Sequence, residues 1–163
     1  MQLRLWQRCG LMNSADQIGS ADEPHSVKFD IELEIPSDIR YIERVVELVT
    51  RHCEEMSYTQ RQCTLNVPVA LTEALSNAIL RGNGEGADKH VWVRASVNER
   101  ILVMEVSDEG GGFDLDACTG DPTLPENIMR EDGRGLFIMR RLMHRVERFM
   151  DRGNVVRLTL HRE

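Results

Sequence analysis

Residues 101–113 read Ile101-Leu102-Val103-Met104-Glu105-Val106-Ser107-Asp108-Glu109-Gly110-Gly111-Gly112-Phe113. The first part is an apolar, alternating run, which predicts a strand that ends near Asp108. An ionised carboxylate there would accept hydrogen bonds at the mouth of a pocket. The glycines that follow can adopt positive φ and let a ligand approach the backbone closely. Taken alone, however, a glycine triplet after a strand is also typical of an ordinary surface turn.

A predicted helix upstream carries a polar pair on one face. Apolar residues recur at helical spacing over residues 69–80, so Glu73 and Asn77, four positions apart, share a face. An Asn amide oxygen can join an Mg²⁺ shell, and a Glu one turn away can orient or deprotonate a hydroxyl near the same phosphate. By itself the pair is better explained as a solvated helix face.

A second glycine turn, Gly133-Arg134-Gly135, opens an amphipathic run over residues 136–146. A glycine turn that leads into a helix presents free N–H groups and the positive end of the helix dipole, both of which favour phosphate oxygens. A simple capped helix start explains this segment equally well. The hypothesis of a ligand site therefore depends on the three segments occurring together.

In this order the segments resemble a known family. The succession Glu-x-x-x-Asn-Ala, Asp-x-Gly-x-Gly-Phe and Gly-x-Gly-Leu is similar to that of the GHKL ATPase superfamily. Three stretches resemble the stand-alone anti-sigma-factor serine kinases of bacteria: Asn77-Ala78-Ile79-Leu80-Arg81-Gly82-Asn83, Asp121-Pro122-Thr123-Leu124-Pro125-Glu126-Asn127 and Gly133-Arg134-Gly135-Leu136-Phe137-Ile138-Met139. The resemblance extends from about Val27 to the C-terminus, and the motifs are specific in combination rather than singly.

This resemblance implies ATP and Mg²⁺ as cofactors and assigns roles to particular residues. Asn77 would ligate Mg²⁺, Asp108 would bind the adenine amino group, and Glu73 would be the base for a serine hydroxyl of a protein substrate. The remaining predicted nucleotide-binding residues are Gly110, Gly112, Gly133, Arg134, Gly135 and Leu136. Arg81 departs from the pattern, because family members commonly carry His at that position.

The resemblance also implies a function. The expected protein is an ATP-dependent serine kinase that phosphorylates an anti-anti-sigma partner and, in its other state, sequesters a sigma factor, as a homodimer. The alternative is a nucleotide-responsive binding module that sequesters a partner without phosphoryl transfer. Glu73 favours the kinase, because a pure binder has no chemical need for a carboxylate beside the metal. A histidine-kinase fragment is disfavoured, since no upstream segment offers a phosphoacceptor His on a helical hairpin.

The periodicity of the whole chain predicts the fold. Strands are expected over residues 26–35, 90–97, 100–106, 146–150 and 155–160, and helices over 38–56, 69–80 and 135–145. This pattern predicts a two-layer α/β sandwich, with a mainly antiparallel sheet and helices on one face. The resemblance names it the Bergerat-type ATP-binding fold. Pro68 either starts its helix or kinks an earlier segment. The irregular residues 108–132 are predicted to form a short ATP lid.

Composition limits the remaining possibilities. With 20 Lys and Arg against 27 Asp and Glu, the net charge of −7 argues against direct nucleic-acid or anionic-membrane binding. Residues 1–25 are predicted to be a flexible leader, and residues 26–163 a single ATP-binding kinase domain. The 4 cysteines form no metal-binding or Cys-x-x-Cys pattern, which indicates free thiols in a reducing cytoplasm. No membrane anchor is expected.

Overall fold

The computed structural model describes residues 28–84, 86–110 and 134–163. Five strands lie in these ranges: β1 Lys28–Pro36, β2 His90–Asn98, β3 Ile101–Asp108, β4 Arg145–Met150 and β5 Asn154–His161. Three α-helices accompany them: α1 Ile42–Glu55, α2 Val67–Ser76 and α3 Arg134–Leu142. The predicted leader, and residues 111–132 of the predicted lid, lie outside the described residues. The division into a leader and one domain therefore stays a prediction.

The strands form one antiparallel sheet in the order β1-β2-β3-β5-β4. Strands β2 and β3 form one hairpin, β4 and β5 form another, and β3 pairs with β5 across the centre of the sheet. Side chains alternate between the two faces, so Leu102, Met104 and Val106 are buried on one of them. The opposite face carries cross-strand ion pairs, such as Arg157 with Glu105 at 2.6 Å.

The helices cover the apolar face of the sheet. Helix α2 packs against both α1 and α3, and the buried residues of α1 recur one turn apart at Val45, Val49 and Cys53. The predicted two-layer sandwich with a mainly antiparallel sheet is confirmed. The structure differs from the predicted helix over residues 38–56 at its start, where helical spacing would place Ile39 on the core face. Ile39 is 57% exposed, because a separate 3₁₀ turn capped by Asp38 precedes α1 and its tighter winding turns Ile39 outward.

The central helix is a continuous helical run over residues 60–82. Two π-helical segments, Gln62–Asn66 and Asn77–Gly82, flank α2 within it. Proline lacks the N–H of a regular helix, and its ring clashes with the carbonyl of an earlier turn. The wider π turn directly before Pro68 accommodates both effects. Pro68 thus lies inside an existing helical run and does not start a new helix.

This central run also has the length and composition of a membrane span over Gln62–Gly82. Half of that window is buried inside the protein, and its buried polar residues bond to other elements. Gln62 Nε2 donates to the His161 carbonyl and Asn66 Nδ2 to the Leu142 carbonyl, both at 2.7 Å. The central helix of a packed core meets the same criteria, so we interpret this run as the core helix.

Two of the cysteines, Cys53 and Cys63, are buried free thiols, as predicted. Burial, reinforced by the neighbouring Cys63, raises the pKa of the Cys53 thiol to about 12. Burial likewise raises the pKa of the Cys63 thiol. Because the thiolate is the reactive form, these two cysteines are unreactive core residues. Cys9 and Cys118 lie outside the described residues.

Candidate functional site

Three predicted residues converge where α2 meets α3. Glu73 lies on α2, Asn77 follows at the start of the π-helical segment, and Gly135 lies in the first turn of α3. A Cβ built on Gly135 would overlap Glu73 Oε2 and would lie 3.4 Å from Asn77 Nδ2. The absence of a side chain at Gly135 therefore lets the start of α3 approach both polar groups. We call Glu73, Asn77 and Gly135 the polar cluster.

The start of α3 suits an anion. The first N–H groups of a helix have no partner within it and carry the positive end of the dipole. No acidic residue lies in the first turn of α3 to oppose this. Arg134, its first residue, is exposed, whereas the side chain of Leu136 is 3% exposed and packs in the core. A nucleotide could therefore contact Leu136 through its backbone only.

A second group of residues surrounds Asp108, the last residue of β3. Its side chain continues the inward-facing register of Met104 and Val106, and the residue is 2% exposed. Asp108 Oδ1 accepts from Gly110 N at 2.8 Å, and Oδ2 accepts from Asn154 Nδ2 at 2.9 Å. A buried carboxylate requires such donors, because burial of an unpaired charge is costly. Both oxygens keep a second lone pair for a ligand.

Glycines let the backbone close tightly around Asp108. A Cβ on Gly82 would overlap the Asp108 carboxylate, and one on Gly110 would overlap the Gly82 carbonyl oxygen. Gly153, at φ +150°, would bring a Cβ onto the Asp108 carbonyl oxygen. Gly110 was among the predicted nucleotide-binding residues, whereas no site role was predicted for Gly82 or Gly153. We call Asp108 with these three glycines the carboxylate pocket.

Asn83 makes hydrogen bonds to residues on both sides of this pocket, and no site role was predicted for it from the sequence. Asn83 Nδ2 donates to the His90 carbonyl at 2.8 Å, and Asn83 Oδ1 accepts from Glu109 N at 2.9 Å. Glu109 Oε1 in turn accepts from His90 N at 2.7 Å. These bonds hold the end of the central helical run against the end of β3. Asn83 and Asn154 each follow a glycine directly, and that repeated Gly-Asn pair was the available signal.

The polar cluster and the carboxylate pocket lie along the same helical run. Asn77 and Gly82 are the two ends of one π-helical segment, so roughly 7 Å of axial rise separates them. The two sites thus form one wall, with a buried carboxylate at one end and a helix N-terminus at the other. An elongated ligand with a hydrogen-bond donor at one end and anionic groups at the other fits this arrangement. Irregular π segments are frequent at functional sites.

The predicted metal site consists of one amide and one nearby carboxylate. No group of three or more His, Cys, Asp or Glu side chains suited to a metal occurs among the described residues. Mg²⁺ usually retains several waters and binds through one or two protein oxygens together with substrate phosphates. Asn77, with Glu73 one turn away, fits an Mg²⁺ ion that arrives with a nucleotide.

Some predicted site residues are not located. Gly112 and Gly133 lie outside the described residues, so the complete glycine loops are not placed. Arg81, where the resemblance predicts a His, is exposed near the end of the central helical run.

Comparison with known proteins identifies the family. Residues 35–160 match the histidine kinase-like ATPase domain. The chain belongs to this family. The serine-protein kinase RsbW of Bacillus subtilis (strain 168) is 30% identical over 121 residues, which cover 71% of this chain and 75% of that protein. The serine-protein kinase RsbW of Bacillus velezensis is 30% identical over 134 residues, 79% of this chain and 83% of that protein.

Another relative carries a second kind of name. The anti-sigma F factor of Bacillus velezensis is 26% identical over 98 residues, which cover 58% of this chain and 67% of that protein. Membership of the histidine kinase-like ATPase family confirms the resemblance to GHKL ATPases, and the names of the relatives confirm the resemblance to anti-sigma-factor serine kinases. The family therefore makes ATP the expected nucleotide of the wall described above. The roles of Glu73, Asn77, Asp108 and Gly135 within that wall stay predictions.

Proposed function

We propose that the protein is an ATP-dependent protein serine kinase that acts as an anti-sigma factor. The observation that carries the proposal is the polar cluster, where Glu73 and Asn77 face Gly135 at the start of α3. A candidate base, a candidate metal ligand and a candidate phosphate site are thus adjacent. The family, with relatives named serine-protein kinase and anti-sigma F factor, supports the same activity.

In this proposal the carboxylate pocket binds adenine. Asp108 can only accept hydrogen bonds when it is ionised, and the adenine amino group is a donor. Guanine carries a carbonyl oxygen at the corresponding ring position, which would place one acceptor against another and leave the guanine oxygen without a donor. An unsatisfied buried acceptor of this kind costs roughly 1–3 kcal/mol, which is enough to select adenine by about tenfold or more.

The polar cluster then receives the phosphates. The N–H groups at the start of α3 would bind phosphate oxygens, and Arg134 places a positive charge in the same turn. Asn77 would contribute an amide oxygen to Mg²⁺, which neutralises charge on the phosphates when it is bound.

Glu73 is proposed as the general base. Its Oε2 faces Gly135, where the terminal phosphate is expected. As the substrate's serine hydroxyl attacks the γ-phosphorus, its proton passes to Glu73, and the bond between the γ-phosphorus and the bridging oxygen of ADP breaks. A binding module without phosphoryl transfer remains the second candidate. It gives no reason for a carboxylate to point at the phosphate end of the wall.

The partners follow from the resemblance and from the names of the relatives. We propose that the phosphorylated serine lies on an anti-anti-sigma protein, that the sequestered partner is a sigma factor, and that the kinase is a cytoplasmic homodimer. No direct contact with nucleic acid or membrane is proposed, in keeping with the net charge of −7.

Phosphopeptide mapping tests the function. The protein is incubated with Mg-ATP and the small regulatory proteins encoded beside it, and the products are mapped by mass spectrometry. We expect phosphoserine on one small partner with the wild type, and none above background with Glu73→Gln. Glu47→Gln, which removes an exposed carboxylate from α1, is the matched control and should behave as the wild type. A wild type that binds ATP and partner but transfers no phosphate would favour the binding module.

A further inference from the structure

Asn154 lies directly opposite Asp108 and contacts it. The two residues are register partners on β5 and β3, and Asn154 is 0% exposed. Asn154 Nδ2 donates to Asp108 Oδ2 at 2.9 Å, while Asn154 Oδ1 accepts a hydrogen bond from Arg148 Nε on β4. A flipped amide would place oxygen against the carboxylate and NH₂ against the guanidinium. The orientation of the Asn154 amide is therefore fixed from both sides.

This contact also fixes the carboxylate. Gly110 N, two residues beyond the end of β3, holds Oδ1, and Asn154 Nδ2 on β5 holds Oδ2, so these two donors together determine the plane of the Asp108 carboxylate. Gly82 lies against the same group, as its lack of a Cβ allows. The lone pairs that remain for a ligand thus point in directions set by Asn154. Without that amide, Gly110 N would be the one described donor left on Asp108.

We propose that Asn154 is a positioning residue for Asp108, and that Arg148 locks the Asn154 amide in the orientation that this role requires. The inference rests on the proposed function, in which Asp108 binds adenine. It extends that function to a three-residue relay from the edge strand β4 to the nucleotide base.

Among the described contacts, the neighbours of Asp108 on β2 and along the chain offer it no competing side-chain partner. On β2, the register partner of Asp108 is the apolar Val91. The neighbouring Glu109 turns its carboxylate to His90 N. Arg148 Nε donates to Asn154 Oδ1. A change at Asn154 should therefore act on Asp108 directly.

Asn154→Asp tests the proposal with almost no change of shape. It replaces the amide donor by a second carboxyl group in contact with Asp108, and two such groups share one proton. When the shared proton is present, the introduced carboxyl donates to Asp108 as the amide did. When both groups ionise, they repel each other. Affinity for ATP, relative to wild type at the same pH, should therefore be about tenfold or more weaker when both groups are ionised, and it should recover several-fold when the pH is lowered enough for the pair to take up its shared proton.

Arg148→Gln supplies a second variant that leaves Asn154 in place. It should weaken ATP binding by only about two- to fivefold, without the pH dependence, because Asp108 alone still favours the correct amide orientation. Arg145→Gln removes an exposed charge from the same strand and should leave affinity unchanged. Protonation of the ATP phosphates changes the affinity of every variant equally. The ratio of a variant's ATP affinity to that of the wild type at the same pH therefore reports only the effect of the substitution on the contacts of Asp108.

Carboxyl ¹³C NMR of the nucleotide-free protein separates this inference from the proposed function. Asn154→Asp should add a titration step to the Asp108 resonance that Arg148→Gln does not show. If the wild type binds no ATP, the proposed function fails, and this titration still decides the positioning role. A loss of affinity that does not change as the pH is lowered, an unchanged affinity, or the absence of the added titration step would overturn the inference.

Discussion

Gly135→Ala tests whether the polar cluster is a reaction site. The new methyl group would overlap Glu73 Oε2, but that atom is the far end of a flexible side chain, so the carboxylate can move away. Restoring an ordinary contact distance requires a shift of roughly 1 Å. Displacement of a reacting group by that distance can cost about 100-fold in rate. Alanine also favours the helix by up to about 1 kcal/mol over glycine, so the fold should be retained or stabilised.

The assay for this variant combines stability with transfer. Thermal unfolding should show an unchanged or slightly raised Tm, while phosphorylation of the partner falls by about 100-fold. Gly110→Ala is the contrasting variant, because its Cβ would meet the Gly82 carbonyl, a backbone atom that cannot swing aside. That change should lower Tm clearly. A Gly135→Ala protein with wild-type transfer and wild-type stability would show that Glu73 is not positioned against the start of α3 in the working enzyme.

Four further variants probe the adenine end, the division of roles and the core. Asp108→Asn turns part of the acceptor into a donor that faces the adenine amino group. Calorimetry should therefore show that the affinity for ATP is about tenfold or more lower. Equal affinity in a folded variant would remove Asp108 from the adenine site. Asn77→Ala should weaken Mg-dependent ATP binding. Glu73→Ala should keep ATP binding but lose phosphoryl transfer, because a base acts mainly in the transition state. Rapid transfer by Glu73→Ala would refute the role of Glu73 as the base. Cys53 should make the fold sensitive to alkali. Its thiol pKa rises from 9.0 to about 12 on folding, so the unfolded chain loses the proton first and stability falls as pH rises above 9. The slope should approach about 1.4 kcal/mol per pH unit, and Cys53→Val should flatten it in urea unfolding at pH 8 and pH 10. An equally steep slope in that variant would assign the effect to Tyr58 and Cys63, whose pKa values burial also raises.

The parts of the fold that local periodicity governs could be predicted from the sequence. The alternating residues before Asp108 predicted β3, and helical spacing placed Glu73 and Asn77 on one face. Details that depend on competition between neighbouring turns could not be predicted. Ile39 fits a helical core face by spacing, but the local cap made by Asp38 favours a 3₁₀ turn instead. Pro68 was ambiguous, because a π-helical segment that admits proline has no periodic signature of its own.

The residues of the candidate site likewise fall into those that the sequence could predict and those that it could not. Asp108 and Gly135 were found because their chemistry stands out within a short motif. Asn154 was not, because its bond to Asp108 spans 46 residues of sequence and exists only once β3 and β5 pair. The hydrogen bond from Glu109 N to Asn83 Oδ1 spans 26 residues and likewise requires the folded sheet. Long-range polar partners of this kind follow from topology, which one sequence does not specify residue by residue.

The most direct test of the central claim, that the two groups of residues form one nucleotide site, is a crystal structure with Mg²⁺ and a non-hydrolysable ATP analogue. We expect the adenine amino group within about 3.2 Å of an Asp108 carboxylate oxygen. We also expect the phosphates at the start of α3, and Asn77 Oδ1 at about 2.1 Å from Mg²⁺. An analogue bound elsewhere, or one whose base lies away from Asp108 while its phosphates lie away from Gly135, would contradict the account.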